Sequence, residues 1–342
     1  MKSPLKRVCL TPRVSGVGGM VSFQAKLTAG LQARGIRVTY DLQDQPYGSV
    51  LVIGGTRQLV DLRRARRRGI PVVQRLDGMN WLHKRTRTGL RHWLRAEAAN
   101  WLLAYIRGRL ATRIVYQSQF VVGWWQRVHG EGPKKRNVIY NGVDLNLFNP
   151  EGKEQRPPNR TRILMVEGSL QGGYELGLQS AVALAELMQG RLGSPVELAV
   201  AGRADDKLKE KWSQKAQVAM EWLGVVPNGE IPALNRGAHL LYSADLNAAC
   251  PNSVIEALAC GLPVLAFDTG ALKELVTPQA GRVVPYGGDP WKLEAPDVAA
   301  LAEGALEILR DQATLRAGAR ARAEEAFRLD PMVDAYIEAL GG

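Results

Sequence analysis

Short apolar runs alternate with longer amphipathic stretches from the start of the chain: KRVCLTP, MVSFQAKLTAGLQARG, RVTYDL, SVLVIGG, LVDLRRARRRG and PVVQRLDG. The short runs predict strands covered on both faces, and the longer stretches, with a period near 3.6, predict helices. Strict alternation of the two implies right-handed βαβ units and a parallel sheet. TRIVYQS and NVIYNGVDLNLFNP follow, and then EGKEQRPPNRT, which is polar, bears prolines and lacks apolar periodicity. That stretch predicts a linker, with one Rossmann-like domain over residues 1–150 and a second beginning at 151. The alternation then restarts. RILMVEGS, VELAVAG and HLLYSA predict strands; YELGLQSAVALAELMQGRLG, closed by Gly193, and DDKLKEKWSQKAQVAMEWLG predict helices. The tail, DVAALAEGALEILRDQATLRAGARARAEEAF and then DPMVDAYIEALGG, is helical by period with a break at Pro331. Two doubly wound α/β domains in tandem predict a cleft facing the carboxyl ends of both sets of strands, which is where a ligand site belongs.

A length of 342 residues suits two such domains. No apolar run reaches the eighteen or so residues of a membrane span, and MKSPLKRVCLTPRV reaches a strand without the apolar segment of an export signal. Cys9, Cys250 and Cys260 form no close pair, so neither a disulfide framework nor a zinc site is expected and a reducing cytoplasm fits. Charge divides unevenly. Residues 1–150 hold 26 Lys and Arg against 7 Asp and Glu, whereas 151–342 hold 19 against 26. The basic half is expected to attract phosphate as nucleotide, nucleic acid or anionic membrane, although the run RRARRR serves equally as a solvated helix face.

Two loops carry candidate chemistry. RVSGVGGMVSF puts Gly16, Gly18 and Gly19 between a strand and a helix, where backbone N–H groups can approach a phosphate. Gly16 and Gly18 fit the dinucleotide fingerprint, but Val21 stands where its third glycine belongs; Asp41 sits where a ribose-binding acid would, so a nicotinamide or flavin enzyme stays open on this loop. In AACPNSVIEALACGLPVLAFDTG, Asn252 or Ser253 is expected to cap a helix through Ala259 that Gly261 stops. Glu256 on its first turns can accept hydrogen bonds from two vicinal hydroxyls such as those of a ribose, or simply complement the helix dipole.

With these pieces in hand, the chain resembles the family 4 glycosyltransferases of the two-Rossmann GT-B architecture over nearly its whole length. The resemblance rests on the Gly18-Gly19 loop, VIYNGVDLNLF, PNSVIEALACGLPVLAFDTGALKELV and FRLDPMVDAYIEAL, in that order. It implies a last helix, within 328–342, crossing back to the N-terminal domain, so that the second domain covers 151–327. It also implies a UDP- or GDP-sugar donor in the cleft and transfer with retention, with no metal or other cofactor. Glu256 matches the second acid of the family's Glu-x7-Glu motif and would hold the ribose. Backbone groups of Asn252, Ser253 and Val254 would meet the diphosphate or donor sugar, and Gly18 and Gly19 would approach the phosphate from the other domain.

Departures accompany the match. Ala248 stands in place of the motif's first acid, with Asp245 nearby but out of register. Where the family has an Arg and a Lys for the diphosphate, VEGSLQGGYELG has Ser169 and glycines; Gly172, Gly173 or Arg203 is expected to compensate. Two charge-assisted contacts, each about 1.5–3 kcal/mol, are missing. Asp77 occupies the region of a common family His and is the candidate catalytic contact; Asn80 and His83 are candidate acceptor contacts, with Lys84 beside them. The stretch HKRTRTGLRHWLRAEAANWLLAYIRGRL mixes Trp81, Trp93 and Trp101 with cations, as a surface touching an anionic membrane would. The expected protein is therefore a cytoplasmic glycosyltransferase, with membrane-peripheral contact as an option and an unidentified glycan, lipid-linked or small-molecule acceptor. Nucleic acid has only charge behind it and is not an expected partner. The alternative is a non-catalytic relative that binds a nucleotide or a protein partner.

Overall fold

The computed structural model describes residues 5–16, 18–87, 89–133, 135–170 and 175–341. They form two compact units. The first runs to Gly142 and takes in the chain again from Leu329, and the second runs from Val143 to Arg328. In the first unit β1 (Arg7–Thr11), α1 (Gly19–Ala33), β2 (Arg37–Thr39), β3 (Ser49–Ile53), α2 (Leu59–Arg67), β4 (Val72–Leu76), α3 (Leu90–Tyr105), β5 (Arg113–Tyr116), α4 (Gln119–His129) and β6 (Arg136–Val138) follow one another. The strands pair in parallel in the order β2-β1-β3-β4-β5-β6. β3 and β4 are buried at every position, as strands covered by helices on both faces must be.

The second unit repeats the principle with β7 (Thr161–Ser169), α5 (Glu175–Leu192), β8 (Val196–Arg203), α6 (Asp206–Lys215), β9 (Ala219–Gly224), α7 (Ile231–Arg236), β10 (Leu240–Ser243), α8 (Asn252–Ala259), β11 (Val264–Phe267), α9 (Leu272–Leu275), β12 (Gly281–Val284), α10 (Val298–Arg310) and α11 (Gln312–Ala326). Its parallel order is β12-β11-β10-β7-β8-β9, so the direction of winding reverses between β7 and β10. One expectation fails here. The helix predicted across 205–224 stops at Lys215, and Ala216 turns extended. Residues 219–224 then form the edge strand, in which Met220 and Trp222, two positions apart, pack on the core from one face. The polar stretch predicted as a linker lies in the second unit, held by Arg236 on Glu154 at 2.6 Å and Arg156 on Gln312 at 3.1 Å. The chain passes between units at Gly142–Val143 and Arg328–Leu329.

The last helix, α12 (Leu329–Gly341), belongs to the first unit. The break before it falls at Phe327–Arg328, and Pro331 sits in its first turn, where a missing N–H costs nothing. Met332, Val333, Tyr336 and Leu340 enter the same core as Val8, Leu10, Phe23, Leu27 and Leu51. Gly30 makes the approach of α12 to α1 feasible, since a Cβ there would lie 2.5 Å from a Val333 methyl. Arg34 fastens the outside of the joint to Asp334 at 2.7 Å and Asp330 at 3.1 Å. Tyr336 is fully buried, its ring 5.1 Å from that of Phe23. Replacing it with Ala is expected to destabilise the first unit by about 3–5 kcal/mol, read as a lowered urea midpoint.

Candidate functional site

The reversal between β7 and β10 sends their following segments to opposite faces and opens a crevice at the strands' carboxyl ends. A bulge lies in β7 there. Val166 pairs with Ala201 and Ser169 with Arg203, so Glu167 and Gly168 together oppose Gly202. Gly202 has φ +150°, and a Cβ on it would lie 2.5 Å from the Glu167 carbonyl oxygen, so only glycine fits. The Glu167 carboxyl accepts a hydrogen bond from the backbone of Ala244, just past β10. Burial and then the charge of Asp245 lift it well above the usual carboxylate range. Burial also raises Asp245, to about 6. Ser169 and Arg203 are thus brought together as neighbours across β7 and β8, with the Arg203 side chain exposed. Gly172 and Gly173 lie outside the described residues.

The loop from β10 to α8 is tightly built. Asn247 adopts φ +58° and is buried, with no hydrogen-bond partner for its Nδ2 among the described residues. The Ala248 carbonyl accepts from the Ala271 N–H at 2.9 Å, and a Cβ on Gly270 would come 2.5 Å from the Ala248 backbone. α8 begins at Asn252 with Pro251 as its cap residue and no side-chain cap. This corrects the expected Asn or Ser cap: both side chains fall inside the first turn, one and two positions past the cap residue. The first-turn N–H groups, at positions 252–254, have no acceptor within a helix by geometry and carry its positive dipole end. Glu256 is 5% exposed, its Oε1 3.5 Å from Asn228 Nδ2. Gly261, at φ +67°, ends the helix as expected. Among the described residues no group of three or more His, Cys, Asp or Glu could hold a metal ion.

In the first unit the reversal lies between β1 and β3. Gly16 and Gly18 take φ +99° and +130°, Gly18 is the cap residue of α1 and Gly19 its first residue, all three exposed. Buried Gln24 braces the loop, accepting from Val14 N–H and donating to the Pro12 carbonyl, both at 2.9 Å. Asp77 follows β4. Its carbonyl accepts from Trp125 Nε1 at 2.8 Å, and burial raises its carboxyl against the lowering effect of Arg75. Arg75 is itself buried, with its guanidinium 3.8 Å from the Phe23 ring and 2.9 Å from Asn141 Oδ1. Asn80 is exposed but locked by Asn100 through its N–H at 2.9 Å and its carbonyl at 2.8 Å. His83, expected beside Asn80 as an acceptor contact, has its ring drawn inward. It is buried, with Nε2 2.7 Å from Glu97, which also takes Lys84 at 3.1 Å. The structure therefore gathers Ser169, Arg203, Asn252, Ser253, Val254 and Glu256 at one strand edge of the second unit, and Gly18, Gly19, Asp77 and Asn80 at loops of the first.

Sequence reasoning missed Glu167, Asn228 and Asn247. An acid closing an apolar strand in VEGS was the available signal for the first, and an Asn in a polar loop, tolerant of positive φ, for the last. The Glu167–Asp245 pair generates a pH prediction. Unfolded, these groups ionise near pH 4; folded, they hold protons to higher pH, so stability present at acid pH is lost as pH rises through their folded values. Glu167→Gln removes part of that loss. Its melting temperature relative to the unsubstituted protein is expected to climb between pH 5 and 8, and a constant difference would show the pair does not titrate as described.

Known families match both units. A family model described as "Glycosyltransferase Family 4" matches residues 55–147, and one described as "Glycosyl transferases group 1" matches 162–311. A D-inositol 3-phosphate glycosyltransferase of Catenulispora acidiphila is 26% identical over 66% of this chain and 57% of its own. The chain spans about half the length of the curated relatives it matches, 57% and 53% of the first two. Among solved structures, sucrose-phosphate synthase from Thermosynechococcus elongatus superposes with a TM-score of 0.73 at 16% identity, covering 97% of each chain. The Anabaena protein HepE, in complex with UDP-glucose, gives 0.68 at 17% identity, covering 98% of this chain and 99% of that one. With two six-stranded parallel sheets, two family models matched in succession and this fold likeness, the chain belongs to the family 4 glycosyltransferases of GT-B architecture.

Proposed function

We propose that the protein transfers a sugar from a UDP- or GDP-sugar to a hydroxyl acceptor, with retention of anomeric configuration and without a metal. The observation that carries this reading is Glu256, buried on the first turns of α8, whose N-terminus opens at the β7–β10 reversal. A carboxylate there accepts from both hydroxyls of a ribose, and the N–H groups of Ser253 and Val254, with Asn252 beginning the turn, offer a diphosphate its hydrogen bonds. Arg203, exposed beside Ser169, supplies the guanidinium within reach of that edge. HepE with bound UDP-glucose supports a nucleotide sugar as donor. In the first unit, the exposed Gly18-Gly19 start of α1 is a second helix N-terminus suited to phosphate. Asp77, its backbone pinned by Trp125, is the residue we assign to a reacting sugar's hydroxyls, and Asn80 to the acceptor. His83, held by Glu97, acts by fixing that loop.

A second reading, a binding protein that no longer transfers sugar, has one observation in its favour. Ser169 puts a neutral side chain where the family resemblance implies an Arg, Ala248 puts one where it implies an acid, and the carboxyls of Glu167 and Asp245 lie in the same two segments. Calorimetry with UDP- and GDP-sugars followed by donor turnover separates the two: binding with turnover supports transfer, binding without it supports the second reading, and binding of neither sinks transfer and the nucleotide-binding form of the second reading. Glu256→Ala is expected to weaken sugar-nucleotide affinity by about 1–3 kcal/mol; an unchanged affinity would reduce Glu256 to a structural charge.

The acceptor side is proposed to meet an anionic membrane through α3. Leu90, Trp93, Leu94 and Trp101 are exposed at helical spacing, by 73%, 41%, 54% and 62%, and Arg87, Arg91 and Arg95 lie among them in sequence. That pairing of apolar and cationic side chains suits the headgroup boundary. No described helix is long and apolar enough to cross a membrane. Cosedimentation with phosphatidylglycerol vesicles is expected to exceed that with phosphatidylcholine and to drop at least fivefold in a Trp93→Ser, Trp101→Ser double variant. Equal sedimentation of variant and parent would remove α3 from the proposal.

A further inference from the structure

The opposite, amino edge of the second unit's sheet holds a cavity of about 580 Å³, walled by residues 156–161 with Ser194 and His239. β7 begins there at Thr161 and ends eight residues later at the α8 side, which puts roughly 25 Å between the two edges at about 3.3 Å per residue. Nothing in the proposed transfer uses this cavity. Its surroundings are cationic beyond what the fold neutralises. Arg160 and Arg162 share the carboxylate of Glu197 at 3.2 and 2.9 Å, and Arg162 also takes Glu221 at 3.3 Å. Arg156 and Arg316 instead donate to neutral oxygens, the Gln312 amide at 3.1 Å and the Ala238 carbonyl at 3.2 Å. Four guanidiniums are thus set around two carboxylates.

His239 adds a directed donor. Its Nδ1 accepts the Arg162 backbone N–H at 3.0 Å, so the neutral ring carries its proton on Nε2. Burial and then the charges of Arg156, Arg316 and Arg162 hold it in that neutral form, depressed to about 4. Arg316 is pushed down to about 10 by burial and then by Arg156. Like charges crowded so closely are relieved by an anion. Pro157 and Pro158 stiffen the wall and bring no N–H of their own. Among the described residues no Phe, Tyr or Trp lines the cavity, so apart from the His239 imidazole a base would find no ring to stack on, and its volume is that of a small-molecule site.

We propose that this cavity binds a small phosphate-bearing ligand without a nucleobase, gripped by Arg156 and Arg160 and oriented by His239 Nε2–H and the Ser194 hydroxyl. Tetrahedral phosphate offers enough acceptor oxygens for two guanidinium forks and two neutral donors at once. The test is an NMR titration of histidine-labelled protein with inorganic phosphate and, separately, glycerol 3-phosphate. The chain has four histidines, so the His239 ring reports on the cavity while those of His83, His92 and His129, in the first unit, serve as references. The expected result is a saturable shift of His239 alone, with affinity reduced at least tenfold in Arg156→Gln and in Arg160→Gln. Both arginines are exposed, so the variants are expected to fold, and their unchanged reference signals check this. A His239 signal that does not move with either probe, or equal affinity in the variants and the parent, overturns the proposal.

Discussion

The candidate site depends on how closely backbone can approach backbone at the ends of parallel strands. Where β7 and β10 part, two glycines remove the obstacle. Gly202 lets β8 approach the bulge of β7 at Glu167, and Gly270 lets the β11 end close on Ala248, each with no room for a Cβ. Between them the loop after β10 is fixed at successive points: Ala244 against the Glu167 carboxyl, Asn247 in a left-handed conformation, Ala248 bonded to Ala271. α8 starts only four residues beyond Ala248. Its position, and the depth at which Glu256 sits, are set by this clamp. The helix's own first turn contributes no side-chain cap. A site whose helix is aimed from behind in this way can keep its entry edge open to a ligand.

Much of this was legible in the sequence, and the limits have physical causes. Strands covered on both faces leave uninterrupted apolar runs, so SVLVIGG and PVVQRLDG announced β3 and β4. β9 escaped because an edge strand is half exposed and its two-residue period, Met220 and Trp222, follows a helical stretch without a turn signal. Glu256 was legible because a strand, a loop and a helix start lie in one local segment. Glu167 was not, since its meaning comes from lying beside Ala244 and Asp245, nearly eighty residues on, and only sheet order supplies that. His83 misled for a related reason. A histidine in a polar loop reads as a candidate acceptor contact, and its burial shows only once Glu97, from the following helix, is seen against it.

The two edges of the second unit's sheet carry opposite electrostatic burdens. At the amino edge, guanidiniums outnumber the carboxylates that pair with them. At the carboxyl edge two carboxyls lie close together and hold protons past their ordinary range. Neither arrangement lowers the energy of the fold. Crowded like charges and buried acids cost stability, and residues that serve packing alone would be better apolar. Arg162 shows the contrast, since its pairing with Glu197 and Glu221 is an ordinary structural use of charge.

This asymmetry also bears on how a site lacking the implied cations could hold a diphosphate. An ionised Glu167–Asp245 pair would repel such a ligand, whereas the protonated pair is neutral and can donate hydrogen bonds to it. Because burial already moves both groups toward the protonated form, little of that repulsion is present when they are protonated. Anion binding and proton binding at this edge are then linked, each favouring the other by the same free energy. The N–H groups of α8 remain as the fixed part of the cradle.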